Sequence, residues 1–91
     1  MAVHRFYTFV VNSNMYAVEE THRDIFHIIR VNHDGTPLDN GETGIVHIHP
    51  SKDEWFWGEE NITELDKQEI MVRLIQAIRD DPKSFSREPK S

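Results

Sequence analysis

The chain has 91 residues, with 10 Lys and Arg against 16 Asp and Glu, a formal net charge of -6 and no cysteine. A chain this short supports one hydrophobic core, which excludes a multidomain enzyme, and its acidity repels a phosphate backbone, which argues against direct nucleic-acid binding. The lack of cysteine excludes disulfides, thiolate zinc sites and thiol nucleophiles together, so any metal site has to use His and carboxylate.

Val, Ile, Leu and Phe supply 24 residues, enough apolar content for a folded domain. No apolar run approaches the roughly 18–20 residues that span a bilayer. The start of the chain, Met1-Ala2-Val3-His4-Arg5, lacks the charged-then-apolar order of a signal peptide. The expectation is a soluble cytoplasmic protein that does not engage a membrane.

In chain order, Arg5 to Val11 is rich in aromatic and β-branched residues like a strand, and Asn12-Ser13-Asn14 tolerates a tight turn, so Met15 to Val18 returns as the second arm of a hairpin. Asp24 to Asn32 carries Ile-Phe-His-Ile-Ile-Arg-Val and is too β-branched for the competing helix over Met15 to Arg30. A turn-rich stretch, His33 to Glu42, precedes extended chain from Thr43 to Pro50. Asp53 to Gly58 is a short aromatic segment that adds one more strand or packs as a loop. Asn61 or Thr63 caps the following helix, with Glu64 or Asp66 three residues on. Ile70, Met71, Leu74, Ile75 and Ile78 then fall within an arc of about 140° at 100° per residue. Pro82 ends the helix, and residues 82–91 read as a disordered polar tail behind a single domain over 1–81.

These elements predict an α+β fold, an antiparallel β-meander of about four to five strands packed on one C-terminal α-helix. One helix covers one face of a sheet. The first strand has apolar residues in both alternation sets, Phe6 and Val10 against Tyr7, Phe9 and Val11. The second face therefore calls for a second copy of the chain, as a homodimer, or for a partner.

Trp55, Phe56 and Trp57 lie between Asp53-Glu54 and Glu59-Glu60. Large aromatics usually anchor a core, but aromatics rimmed by carboxylates also suit a basic protein surface. The candidate partner-binding set is Asp53, Glu54, Trp55, Trp57, Glu59 and Glu60. The expected function is a small acidic protein-binding domain, non-enzymatic and without a cofactor, acting as an accessory, regulatory or inhibitory partner. A further alternative is an acidic nucleic-acid mimic that blocks a DNA-binding protein, since seven carboxylates fall between Asp53 and Glu69. His27, in alternation with Ile25 and Ile29, reads as a core or interface residue.

His47 and His49 sit two apart on a predicted strand, so both side chains project to one face and are candidate ligands for a shared zinc ion. With Pro50 they give His47-Ile48-His49-Pro50, which resembles the His-x-His-Pro signature of the JAMM (MPN-type) zinc metalloproteases. That resemblance implies a carboxylate ligand after the histidines and a glutamate before them that activates water. Glu60 stands near the family's usual spacing, Asp66 ends the Ser/Thr-x-x-Asp-like Thr63-Glu64-Leu65-Asp66, and Glu19 and Glu20 are the upstream acids. The resemblance makes a JAMM-like metallohydrolase the enzymatic alternative.

Overall fold

The computed structural model describes residues 5–49 and 54–80. Five strands, β1 (Phe6–Val11), β2 (Asn14–His22), β3 (Ile25–Val31), β4 (Thr43–His49) and β5 (Glu54–Glu60), precede one helix, α1 (Glu64–Asp80). The strands form a single antiparallel meander in sequence order. This is the α+β architecture expected from the sequence, with the aromatic segment resolved as the fifth strand. The region open to a helical reading is instead β2 and β3. The predicted tail and Asp53 lie outside the described residues.

Turn chemistry sets the register. Asn12 and Ser13 both have positive φ, 51° and 70°, the two-residue turn whose twist matches antiparallel strands, and Val11 pairs directly with Asn14. Asp24 at φ 63° closes the next turn, and its carbonyl accepts the Ile48 amide at 2.9 Å, tying the end of β4 to the β2–β3 turn. The stretch after β3 folds back on itself: Leu38 donates to the Arg30 carbonyl, Asn32 to that of Thr36, and Gly35 takes φ 92°.

Strand alternation then sorts side chains onto two faces. Towards α1 point Val11, Tyr16, Val18, Phe26, Ile28, Val46 and Ile48, all buried and packed with Ile70, Met71, Leu74 and Ile78 of the helix. The apolar arc read from the sequence is the face that α1 buries, with Ile75 at its margin. Burying each large aliphatic side chain contributes about 1.5–3 kcal/mol. Gly44 belongs to this face because a Cβ there would approach the Glu60 Cβ to 2.9 Å and the Ile62 Cδ1 to 3.0 Å.

Two polar devices hold this arrangement. Arg5 and Glu20, with side chains 2% exposed, form an ion pair at 2.9 Å that extends to Asp24. At the start of α1, Thr63 Oγ1 accepts the Asp66 amide at 3.3 Å, so Thr63 is the cap. The Asp66 carboxylate does not return to the cap. It accepts bonds from Asn12, Asn14 and Tyr16 at 2.8, 3.1 and 2.6 Å, fastening the helix to the first hairpin.

Candidate functional site on the open face of the sheet

The other face of the sheet points away from α1, and its composition follows from the pairing. One row across the strands is Phe6, Glu19, His27 and Ile45. The row towards the first hairpin is Thr8, Ala17, Ile29 and Thr43, with Val10, Met15 and Val31 beyond it. In the opposite direction come Ile25, His47 and Phe56, then His49 opposite Glu54. Large apolar side chains stand in water here: Phe6 is 61% exposed, Val10 53%, Ile45 43% and Phe56 57%. A solvated sheet face normally alternates to polar residues, and these four side chains depart from that pattern.

The face carries little charge. Its paired rows hold the carboxylates Glu19 and Glu54 and the imidazoles His27, His47 and His49. His27 is exposed rather than in the core. His47 and His49 stand on this face while Val46 and Ile48 between and beside them are buried. Their ring centroids are 4.4 Å apart, and Phe56 meets His49 edge-on at 5.7 Å. Two imidazoles this close can reach one ion, but among the described residues no group of three His, Asp or Glu is placed to hold a metal.

Strand alternation also separates the groups that the metalloprotease resemblance would join. Glu60 and Asp66 lie on the helix side, where Glu60 bonds Lys67 at 2.7 Å and Asp66 is buried. Glu20 lies there too, bound to Arg5. Of the four carboxylates in question, only Glu19 shares a face with the histidines.

The predicted partner-binding residues are likewise divided. Glu54 is exposed and belongs to the open face; Trp55, opposite Ile48, is 40% exposed on the helix side. Trp57 is half-buried against the core, with the Lys67 ammonium 5.5 Å from its ring centroid. Glu60 is drawn into the same cluster: its bond to Lys67, together with the Ile62 amide, holds its carboxyl below the usual range, and Lys67 is raised in turn. Glu59 is exposed. Phe56, which is outside the predicted partner-binding set, is the aromatic of this segment that stands on the open face.

Among the described residues, no helix is long and apolar enough to cross a membrane. No family model matches this chain, and neither a curated protein nor a solved structure does.

Proposed function

We propose that the chain is a small non-enzymatic domain that binds protein through the open face of its sheet, in an accessory, regulatory or inhibitory role. One observation carries this reading: among the described residues, Phe6, Val10, Ile45 and Phe56 are between 43% and 61% exposed on a face that α1 does not cover. The contact it supports is apolar at Ile45 and Phe56. Exposed Glu54 and Glu59 give β5 an acidic margin suited to basic side chains on the partner.

The test uses two positions on opposite faces of neighbouring strands. Ile45→Glu places a charge at the middle of the proposed contact and is expected to abolish partner capture by the immobilised chain, a loss of at least about 2 kcal/mol for a central position. Its circular dichroism should match that of the wild type, because Ile45 is already half in solvent. Trp55→Ala, on the helix side, is expected to leave capture within about threefold. The reverse result, with Trp55→Ala abolishing capture and Ile45→Glu retaining it, would move the contact to the helix-side aromatic segment.

A second reading rests on the 4.4 Å separation of the His47 and His49 rings, which supplies half of a tetrahedral zinc set. The open-face reading expects chelator-stripped protein to take up no stoichiometric zinc at micromolar concentration by calorimetry. Saturation at one zinc per chain, lost in His47→Ala, would establish the metal site instead.

A further inference from the structure

We infer that the occupant of the open face is a second copy of this chain, paired face to face as a two-fold sandwich of sheets; the inference rests on the contact face proposed above and names its partner.

Charge selects the occupant. Two chains of net charge -6 repel, and at physiological salt that repulsion acts over about 8 Å, so copies can meet only where carboxylates are sparse. The paired rows of the open face hold Glu19 and Glu54 out of the 16 acidic residues of the chain. A strongly basic partner would be recognised by carboxylates across the whole contact, whereas Glu54 and Glu59 stand only at the β5 margin of this face and Glu19 alone lies inside it. It is apolar and close to neutral, and so is its own copy.

The pattern is also self-complementary. Packed sheets keep their strands within about 30° of each other. A two-fold axis along β3 then lays β1 and β2 of one copy over β5 and β4 of the other, and the same contacts recur twice by symmetry. The open-face side chains of β3, Ile25, His27 and Ile29, meet their own counterparts at that axis, and because rows keep their level Ile45 on β4 comes opposite Glu19 on the partner's β2. The contact is therefore apolar along the axis at Ile25 and Ile29, and Glu19 has His27 next to it in its own row.

The area is adequate. Five strands spaced about 4.8 Å apart and about seven residues long give a footprint of roughly 24 by 23 Å. With side-chain relief that surface comes to roughly 700–800 Å², near the roughly 800 Å² per partner of a stable interface.

Sedimentation equilibrium of the full chain, from micromolar to millimolar, tests this together with NMR. A soluble gadolinium chelate reports whether the Val10 and Ile45 methyls are open to solvent. The expected result is a dimer with those methyls protected, and an Ile45→Glu chain that associates at least about 100-fold more weakly while remaining folded. Phe56→Lys, at the end of the face, is expected to weaken association in the same sense. A wild-type monomer at all concentrations with open methyls overturns the second copy as occupant and leaves the contact face standing. A monomer with protected methyls means the chain covers its own face, which overturns both. A dimer with open methyls places the contact elsewhere and also overturns the inference.

Discussion

Glu20→Ala is expected to bring the domain to the edge of unfolding, lowering its stability by about 3–5 kcal/mol against the roughly 5–15 kcal/mol that holds a small domain together. Both partners of the Arg5–Glu20 pair have side chains 2% exposed. Glu20 Oε1 accepts the Arg5 amide at 3.2 Å and its Nε at 3.1 Å, while Oε2 accepts an Arg5 guanidinium nitrogen at 2.9 Å and the Asp24 amide at 2.8 Å. Removing the carboxylate leaves a guanidinium stacked on Phe26 at 5.2 Å with Asp24, 27% exposed, as its remaining acid among these groups. The penalty is that of a buried charge stripped of its main buried counterion, so it depends on the charge that stays behind. Arg5→Met with Glu20→Leu, which removes both charges at similar volume, is expected to recover most of the loss and fall within about 1–2 kcal/mol of the wild type. Urea unfolding followed by circular dichroism separates the cases. A double variant as unstable as the sum of its single variants would show that the two residues act independently. The site feels this pair as well, because Ile48 donates to the Asp24 carbonyl; loosening that turn frees the end of β4 that carries His47 and His49.

The fold was legible because its signals are local and repeat. β-Branched and aromatic content marked β1, β3 and β4, and the arc from Ile70 to Ile78 named the buried side of α1; the first turn was placed at Asn12-Ser13-Asn14, but the turn is Asn12-Ser13 and Asn14 already pairs with Val11, which moves the register by one residue. The conflict at β1, apolar in both alternation sets, correctly pointed to a sheet with one covered and one uncovered apolar face. What stayed hidden was the relation between strands. The phase of β5 against β4 decides that Phe56 joins His47 while Trp55 and Trp57 turn towards the helix, and an irregularity between Gly44 and Val46 shifts that register. A run of three aromatics has no preferred phase of its own, so sequence alone grouped Trp55 with Trp57 and both flanking acidic pairs. Glu20 did leave a trace: it continues the inward set of Tyr16 and Val18, and a carboxylate at an inward position requires a buried base. Nothing local identified Arg5 as that base, fifteen residues earlier in the chain.

Asp66→Ala carries the second large effect, a destabilisation of about 2–4 kcal/mol, because hydrogen bonds to a charged acceptor are each worth about 1.5–3 kcal/mol and the stranded donors are themselves desolvated. Asp66 is 4% exposed and collects the Asn12 and Asn14 amides and the Tyr16 hydroxyl. Tyr16 is fully buried, so its hydroxyl loses its acceptor where water cannot readily replace it. Asp66→Asn is no rescue, since the amide nitrogen would face a donor on at least one side. The pH dependence follows from the same geometry. Burial pushes the Asp66 carboxyl up, but the bonds from Tyr16, Asn12 and Asn14 outweigh it and hold the pKa below its ordinary 3.8. A carboxyl depressed on folding adds stability that is complete above that ordinary value and disappears as pH falls through the lower folded one. The urea midpoint of the wild type should therefore exceed that of Asp66→Asn by a wide margin at pH 6, and the margin should narrow as both are acidified. An equal margin at every pH would mean that packing at the helix start, rather than the ionised carboxylate, joins α1 to the first hairpin. That junction matters beyond stability. Together with the Lys67–Glu60 pair it secures the start of α1 to the first hairpin and to β5, so that Phe6 and Val10 at one edge of the open face and Phe56 at the other are carried on a single rigid sheet.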